Sequence, residues 1–521
     1  MRTRYQYICM GILSVALWSC AGDDTTTGGN PISTITIDEN CIQEEYNLNK
    51  NDILTITPQI SQTIAGKEIN YEWEVEHETY SNEPELVYNC TKLGTFNCRL
   101  IVSNEDGKAF FPFVINVNTP YEEGVTIIST DPTGKSMLSF MLHNIDGSED
   151  SFYQGDMFTL NNPEMNFASN VSDMMVTNGS LVISCKGNGS SSEPGTIYYL
   201  NGKTFDIENF IEVPEYPDFQ PIKMLVPSSV GMGGASYPVL SANGEIFGLA
   251  STEGTVTPLP KYDSTYNTLA YATGKSSTGM AYPFLVWDEN LGVPILMDSN
   301  SIFYFISDYT EAKRLPEKGV VNATNNIFAT NKDEIVAFFI PEWTTKDLVL
   351  KGTSRDPEIY VITKSNGQLR RSKFGNSVWA GSYPNYYFDC DQSQLFYTIG
   401  NDGDAGFTAG VPMVVSNTNK MAFYGSGNKL YMWPYEQNTL AYSTVLTEIG
   451  NPSSVITSIE LSTDQKTLYI ASYDPTQAGL NGSCHLVTVN KNTATDDVTV
   501  GGITNYNNVS YKPVKIMYKN K

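Results

Sequence analysis

The sequence predicts an all-β fold, with a short N-terminal domain followed by a long region of repeated sheets. From about Val125 to the C-terminus, alternating apolar residues, a Gly, Asn or Asp turn and further alternation keep recurring. Strict alternation is the pattern of a half-buried strand. None of these segments carries a convincing apolar stripe at 3.6-residue spacing, so helices do not compete for them.

The repeated unit contains strand pairs joined by short turns, and an Asn-Gly turn beside alternating residues is the strongest short-range hairpin signal. Examples are VSDMMVTNGSLVISCKG (171–187), GTIYYLNGKTFDI (195–207), YPVLSANGEIFGLAS (237–251), EIYVITKSNGQLRR (358–371) and STDQKTLYIASYDP (462–475). Seven or eight units would each have about 57 or 50 residues, close to known propeller-blade periods. Radially repeated sheets leave only short, protected edges. Residues 120–521 therefore resemble a β-propeller of seven or eight blades.

The C-terminal strand is expected to close this ring. Residues 512–519 alternate Val514, Ile516 and Tyr518 with more polar neighbours, so a strand persists almost to the final residue. Pairing it with the apolar run that opens at Val125 would leave no unpaired first or last sheet.

The first 19 residues predict a targeting segment. Arg2 and Arg4 precede an apolar run of eleven residues, Ile8 to Trp18, which is too short to span a bilayer because that takes about 20 residues. With Ser19 before Cys20, the segment resembles a bacterial lipoprotein signal peptide. The resemblance implies cleavage before Cys20 and a lipid on its sulfur. An ordinary secretory signal with an incidental cysteine is the alternative.

Residues 20–31 are expected to form a flexible tether that ends in TTTGGNP. Asp23 and Asp24 follow the cysteine closely and resemble the acidic export signal of Bacteroidota surface lipoproteins. The resemblance implies an outer-membrane protein exposed at the cell surface. No other stretch reaches 18 apolar residues, so the acyl group on Cys20 is the expected membrane anchor.

Composition excludes some partners and supports a folded chain. The net charge of the 521 residues is −25, so nucleic acid and anionic lipid headgroups are poor partners. Aromatic residues make up 12 %, which is typical of a core-building composition. The cysteines are too scattered for a disulfide framework and include no zinc-type pair. The alternation of residues places Cys90 and Cys98 on the core-facing sides of their strands. Whether the two form a disulfide is left undecided by the sequence.

Residues 32–119 predict a separate immunoglobulin-like sandwich. About six short strands with turns every eight to twelve residues favour that architecture. The strand segments are DILTITP (52–58), INYEWEV (69–75), PELVYNC (84–90), GTFNCRLIVSNEDG (94–107) and KAFFPFVINV (108–117). Thr119-Pro120 ends the last strand and marks the domain boundary.

The order of motifs in this domain resembles a PKD domain, and in particular the PKD-like domain of Bacteroidota surface lipoproteins. The motifs are Tyr71-x-Trp73-x-Val75, then Leu86-Val87-Tyr88, then Gly94-Thr95-Phe96 leading into Leu100 to Asn104. The family's Trp-Asp-Phe-Gly-Asp-Gly turn is replaced by Glu74-Val75-Glu76-His77 after Trp73, so no role of that loop carries over. Trp73 is expected to be the core tryptophan of the sandwich.

The whole arrangement of lipidated cysteine, PKD-like domain and propeller resembles lipoproteins encoded beside SusC/SusD-type outer-membrane uptake systems. The resemblance implies a surface accessory that captures a nutrient, glycan or peptide. It names neither a substrate nor contact residues.

Catalytic signatures are weak. The three histidines, His77, His143 and His485, form no HExxH motif, and no GxSxG precedes a helix, so a serine or zinc hydrolase is unsupported. Inward-facing acids from several blades could still form a glycosidase or lyase site. Asp402 and Asp404, on a tight Gly-rich turn, could hold calcium, but the later bidentate Glu of a full loop is missing. A solvated loop is the alternative for these acids, and no other cofactor is expected.

Aromatic residues beside Pro and Gly are the ligand-binding candidates, and loop positions are expected for them. They are Trp343, Trp379, Tyr383, Trp433 and Tyr435. Such rings could stack on a sugar or a peptide, or they could seal neighbouring blades to one another.

The leading hypothesis is a non-enzymatic, surface-anchored binding or accessory protein whose site lies on the propeller axis. A propeller enzyme acting on glycan is the alternative, and it would require three acids, or an acid and a histidine, to converge on the central channel. A structural spacer would instead have a plugged channel without aromatic residues.

Overall fold

The computed structural model describes residues 31–119, 121–143, 150–153, 155–177, 179–224, 236–250, 255–258, 264–273, 284–297, 303–306, 312–314, 328, 331–341, 356–381, 383–389, 395–492, 494 and 497–520. The chain divides into two compact units between Asn118 and Thr119. Regular structure in the described residues is predominantly β-strand. The short helical segments include α1 (Met157–Asn161) and single 3-10 turns at Glu39–Cys41, Asp404–Gly406 and Leu440–Tyr442, and Phe328 and Asn331 are also helical. No described helix has the length and apolar character needed to cross a membrane.

The N-terminal unit contains one five-stranded sheet, in the order β2-β9-β8-β5-β6, and two strand pairs, β1-β4 and β3-β7. Its strands are β1 (Ile35–Ile37), β2 (Glu45–Asn49), β3 (Ile53–Ile56), β4 (Ile60–Gln62), β5 (Asn70–Val75), β6 (Glu78–Ser81), β7 (Leu86–Asn89), β8 (Gly94–Asn104) and β9 (Gly107–Asn118). β2 runs parallel to β9, and the other pairs are antiparallel.

Trp73 lies in the core of this unit, as the sequence predicts. Its side chain is buried, and its Nε1 donates a hydrogen bond to the carbonyl of Glu83 at 2.9 Å. The Phe113 ring meets it edge-on, with 6.1 Å between ring centroids. Cys90 and Cys98 face the same core, also as predicted, but both are free thiols. Burial raises the pKa of Cys90 to about 11 and that of Cys98 to about 12.

The second unit is built from sheets of consecutive strands. The first includes β10 (Gly124–Thr130), β11 (Ser136–His143) and β12 (Asp150–Phe152). Sheet 2 contains β13 (Val171–Thr177), β14 (Ser180–Cys185), β15 (Thr196–Asn201) and β16 (Ile207–Glu212). Sheet 3 contains β17 (Pro221–Met224), β18 (Ser236–Ser241), β19 (Ile246–Ala250) and β20 (Thr255–Pro258). Sheet 4 contains β21 (Tyr266–Thr273), β22 (Phe284–Asp288), β23 (Val293–Met297), β24 (Phe303–Ile306) and β25 (Ala312–Arg314).

The remaining sheets follow the same rule. Sheet 5 contains β26 (Glu334–Phe339), β27 (Asp356–Ser365), β28 (Gln368–Gly381), β29 (Tyr383–Asp389) and β30 (Tyr397–Asn401). Sheet 6 contains β31 (Met413–Ser416), β32 (Met421–Ser426), β33 (Lys429–Trp433) and β34 (Thr444–Glu448). Sheet 7 contains β35 (Val455–Leu461), β36 (Thr467–Tyr473), β37 (Gly482–Lys491) and β38 (Val498–Ser510). The last strand is β39 (Lys512–Lys519).

The predicted closure by the C-terminal strand is confirmed. β39 pairs antiparallel with β10, from Gly124 opposite Lys519 to Thr130 opposite Lys512, which gives sheet 1 the order β12-β11-β10-β39. The Tyr518 ring stacks on Tyr469 of sheet 7, with centroids 5.1 Å apart. The final strand is therefore part of the folded core.

Asn-Gly turns produce the hairpins that the sequence predicts. In sheet 5, Asn366 and Gly367 connect β27 to β28 with φ values of 51° and 79°. A two-residue turn that matches the right-handed twist of its strands needs positive φ at both positions, which Asn and Gly adopt with least strain.

One edge strand of each sheet in this unit contributes to the wall of a shared cavity. These inner strands are β39, β13, β17, β21, β26, β31 and β35, in the order of sheets 1 to 7. The described residues thus form an all-β protein with repeated antiparallel sheets, mostly four-stranded, and the arrangement is consistent with a β-propeller.

Candidate functional site

The shared cavity, called the channel below, has a volume of about 700 Å³. Much of its wall is aliphatic, with Ile222, Val336 and Val411 among the residues that face it, and Leu269 lines it while 62 % exposed. Ligand cavities commonly have this size and apolar character, with a few polar groups that fix orientation.

Asp173 is the centre of the polar part of the channel. The ladder between β13 and β14 shifts register between Val171 and Asp173, and such a bulge redirects a side chain. The Asp173 carboxylate is buried, with Oδ1 2.7 Å from Lys515 Nζ and 3.2 Å from Lys223 Nζ. Its Oδ2 accepts a hydrogen bond from the backbone N–H of Met224 at 2.9 Å. The cluster therefore connects the inner strands of sheets 1, 2 and 3.

Charge pairing keeps Asp173 ionised. Burial opposes its ionisation, but the ammonium groups of Lys223 and Lys515 outweigh that effect and hold the pKa of the carboxyl below its ordinary value. Enclosure of Lys515 lowers the pKa of its ammonium, and the nearby Asp173 only partly offsets this. The negative charge of Glu460 on β35 also acts to raise the pKa of Lys515.

The lysines retain capacity to bind a ligand. Lys515 Nζ also donates to the carbonyl of Met174 at 2.6 Å, and Lys223 Nζ lies 5.3 Å from the centre of the Tyr271 ring. An ammonium group carries three donors. Both side chains are partly open, at 23 % for Lys515 and 17 % for Lys223. The remaining donors can therefore meet a carboxylate or hydroxyl group that enters the channel.

The described lining of the channel lacks the constellation expected for a propeller enzyme. Its carboxylates are Asp173 and Glu460, and it includes no histidine. His143 packs against the rings of Tyr469 and Tyr518, and His485 is buried in sheet 7. Within the described part of the chain, no three His, Cys, Asp or Glu side chains come close enough together to hold a metal ion.

Trp433 and Tyr435 are both buried; Trp433 lies in a strand, so the loop expectation was wrong for it, whereas Tyr435 lies in the turn that follows. Trp433 ends strand β33, with its ring 6.2 Å from Phe339 of sheet 5, and the Tyr435 ring is 5.7 Å from the same phenylalanine. Both rings thus pack between sheets 5 and 6. Packing of aromatic rings between neighbouring sheets is the second of the two roles considered for these residues. In this structure it leaves neither ring accessible to a ligand.

The other predicted aromatics are only partly described. Trp379 lies in β28 opposite Asn385, and Tyr383 begins β29, so the loop expectation was wrong for these two as well. Their side chains fall outside the described part of the structure, and so does Trp343 entirely. Ligand contact by these three residues stays a prediction.

Asp402 and Asp404 make protein contacts in the turn after β30. Asp402 Oδ2 is 3.3 Å from Lys364 Nζ, and Asp404 Oδ2 accepts from the backbone N–H of Asn401 at 2.7 Å. Each of these contacts uses one oxygen of its carboxylate, so calcium binding at Asp402 and Asp404 stays a prediction. The lipidation and export residues Cys20, Asp23 and Asp24 lie outside the described residues.

Sequence reasoning missed Asp173, Lys223 and Lys515. A signal was present, because each places a charge inside an otherwise apolar strand, VSDMMV, PIKM and VKIM. The pattern identifies an unusual position, but the pairing needs three strands that are far apart in the chain.

No protein-family model and no curated protein matches this chain. Among solved structures, it is similar to a quinoprotein alcohol dehydrogenase-like protein from Bacteroides thetaiotaomicron, with 13 % identity, a TM-score of 0.46, and coverage of 93 % of this chain and 99 % of that one. It is also similar to the periplasmic gluconolactonase of Pseudomonas aeruginosa, with 10 % identity, a TM-score of 0.40, and coverage of 76 % and 99 %. Identities at this level say nothing of activity.

Proposed function

We propose that this protein is a cell-surface lipoprotein that binds a nutrient, glycan or peptide, for an outer-membrane uptake system of the SusC/SusD type without changing it chemically. The observation that carries the proposal is the channel, a cavity of about 700 Å³ whose ion-pair cluster is already assembled. Preorganised donors beside an aliphatic wall suit binding, because little ordering is left to occur when a ligand enters.

Each part of the chain would have its own role. The lipid on Cys20 would hold the protein to the outer membrane, with Asp23 and Asp24 directing export and residues 20–31 serving as the tether. The N-terminal unit would be a PKD-like immunoglobulin-type sandwich that acts as a spacer. Its five-stranded sheet and buried Trp73 support that assignment.

The second unit would be a propeller of seven blades, each contributing one inner strand to the channel. Lys223 and Lys515 would donate to a carboxylate or hydroxyl of the ligand, with Asp173 holding both ammonium groups in place. The aliphatic wall would contact the ligand's apolar parts. Tyr271 and Tyr518 line this open cavity, which favours binding over a spacer role with a plugged channel.

Binding of glycans and peptides to the purified full-length protein tests the proposal. Lys223→Met removes one ammonium while Lys515 still neutralises Asp173, so it should weaken channel binding by about tenfold or more, since that corresponds to about 1.4 kcal/mol. Lys466→Met is the matched control, because Lys466 is exposed on a turn of sheet 7 away from the channel lining. Equal affinities for wild type and Lys223→Met, or conversion of the ligand into products, would overturn the proposal.

A further inference from the structure

A second cavity, of about 480 Å³, lies beside the outer strands of sheets 6 and 7 and is called the side cavity below. Its lining comes from the end of β34, the loop after it, the loop between β36 and β37, the start of β37, and strand β38. None of the described residues that line it also lines the channel. The lining consists of amides, hydroxyls and carboxylates with one large aliphatic side chain, Ile503.

Asp474 holds the two loops of the side cavity together. Its carboxylate accepts from Asn451 Nδ2 at 2.7 Å and from Ser453 Oγ at 2.9 Å on one loop. On its own loop it accepts from the hydroxyl of Thr476 at 2.6 Å and from Gln477 Nε2 at 3.0 Å. These hydrogen bonds, that of the Thr476 side chain foremost, hold the pKa of Asp474 well below its ordinary value. The carboxylate is therefore ionised and acts only as an acceptor.

Two amides in the cavity are anchored through their nitrogen. Gln477 Nε2 faces the Asp474 carboxylate, and Asn481 Nδ2 donates to the carbonyls of Asp474 and Gln477 at 3.2 and 3.3 Å. Because these partners only accept, each amide must present its nitrogen to them. The two amide oxygens have no hydrogen-bond partner among the described residues, so they are available as acceptors for a ligand.

A third amide, Asn505, is anchored through its oxygen. Its Oδ1 lies 2.6 Å from Nδ1 of His485, whose Nε2 lies 2.8 Å from the hydroxyl oxygen of Ser472. Burial lowers the pKa of His485, so the imidazole is neutral. Since an amide oxygen only accepts, Nδ1 carries the proton and Nε2 accepts from Ser472. This arrangement leaves Asn505 Nδ2 as a donor toward the cavity.

The hydrogen-bonded chain of Ser472, His485 and Asn505 has the same order as a catalytic triad, in which a nucleophile, a base and an orienting group follow one another. The Ser472 hydroxyl is buried, with only 1 % of the residue exposed, so a substrate cannot reach it in this structure. Its hydrogen bond instead fixes the imidazole that fixes Asn505. Ser472 and His485 are therefore positioning residues that orient the Asn505 side chain.

The chemistry of the lining defines a class of ligand. Two oriented acceptors and one oriented donor match hydroxyl groups, which both donate and accept. Ile503, at 37 % exposure, offers an apolar surface to C–H groups. Glu448 and Asp474 make the lining acidic, and its described residues include no lysine or arginine, which disfavours anions. We propose that the side cavity is a binding site for a neutral, hydroxyl-rich ligand of the oligosaccharide class, independent of whether the channel binds anything.

The test uses full-length protein and isothermal titration with neutral probes, maltohexaose, cellohexaose, xylohexaose and mannohexaose, beside acidic oligogalacturonate. Asn505→Asp keeps the oxygen that His485 needs but loses the ligand-facing donor. It should weaken binding of a neutral probe by about tenfold or more. Ile503→Ser, at an exposed position where folding is little affected, should also weaken it. Asn490→Asp is the matched control, because Asn490 is exposed on β37 of the same sheet and does not line the cavity.

The proposal is supported if a neutral probe binds, Asn505→Asp and Ile503→Ser both weaken it, and Asn490→Asp binds as wild type does. It is overturned if no neutral probe binds, if the acidic probe binds more tightly, if Asn505→Asp binds like wild type, or if the probe is cleaved. A probe that loses affinity with Lys223→Met but not with Asn505→Asp occupies the channel. In that case the side-cavity proposal fails while the proposed function stands.

Discussion

The carboxylate of Asp173 and the ammonium of Lys515 lie 2.7 Å apart although 342 positions separate them in the chain. Asp173 is on the inner strand of sheet 2 and Lys515 is on the strand that closes sheet 1. The pair therefore joins the closing strand to a neighbouring sheet inside the channel.

Removing the charge of Asp173 should destabilise the fold, because the ammonium groups of Lys223 and Lys515 would then lose the carboxylate that lies between them in an enclosed space. Asp173→Asn should cost about 3 to 5 kcal/mol of unfolding free energy, the usual penalty for breaking a buried pair. Glu436→Gln is the control, since its pair with Lys420 is about half exposed and should contribute no more than about 1 kcal/mol. Urea unfolding measures both variants, and equal losses would contradict the prediction.

His485 should make stability depend on pH. Burial lowers the pKa of the folded imidazole below its unfolded value of 6.5, so the unfolded state binds more protons between the two values. The contribution of His485 is fully present above pH 6.5 and is lost as pH falls through the folded pKa. His485→Gln should lack this part of the decline in a series of unfolding curves below pH 6.5. Parallel curves for wild type and variant would show that the folded pKa is not lowered.

Cys90 and Cys98 should resist thiol reagents in the native protein. Burial and pKa values of about 11 and 12 leave almost no accessible thiolate at pH 8. Both should react rapidly once the protein is unfolded in guanidinium chloride, whereas the partly exposed Cys41 should react earlier. Peptide mapping under non-reducing conditions is the check, and recovery of a Cys90–Cys98 disulfide would contradict the free thiols.

Deleting residues 513–521 should open sheet 1 and expose the edge of β10. The loss should be several kcal/mol out of the about 5 to 15 kcal/mol typical of folded proteins. Ile516→Ala is a milder variant, and because Ile516 is fully buried it should cost about 2 to 5 kcal/mol. A truncated protein that is soluble and melts at the wild-type temperature would show that closure by β39 is dispensable.

Cys20→Ala should release the protein from membranes, since the lipid is its expected anchor. Protease added to intact cells should digest the wild-type protein, and replacing Asp23 and Asp24 by alanine should protect it by retaining it inside. Cell fractionation with immunodetection gives both results. A Cys20→Ala variant that stays in the membrane fraction would rule out the lipid anchor.

The sequence alone predicted the features that depend on neighbouring residues. Alternation predicted the strands, and the dihedral preferences of Asn and Gly predicted turns such as that at Asn366-Gly367. The closing strand was predictable because its own pattern demands a partner, and Trp73 because a large apolar ring in an alternating strand belongs in a core. In each case the cause acts over a few residues and leaves a readable pattern.

Only the tertiary structure decided which side chains meet across sheets. Trp433 and Tyr435, next to a proline, are as compatible with a loop as with a core, and their burial depends on Phe339 about a hundred positions earlier. Both polar clusters combine residues from separate strands and loops. The cluster in the channel is Asp173, Lys223 and Lys515, and the one at the side cavity is Asp474, His485 and Asn505. The pKa directions of Asp173, Lys515 and His485 arise mainly from burial and nearby charges, and that of Asp474 arises from its hydrogen bonds; all of these depend on distances in space. Such distances are set by the closure and packing of whole sheets, and no local spacing in the chain encodes them.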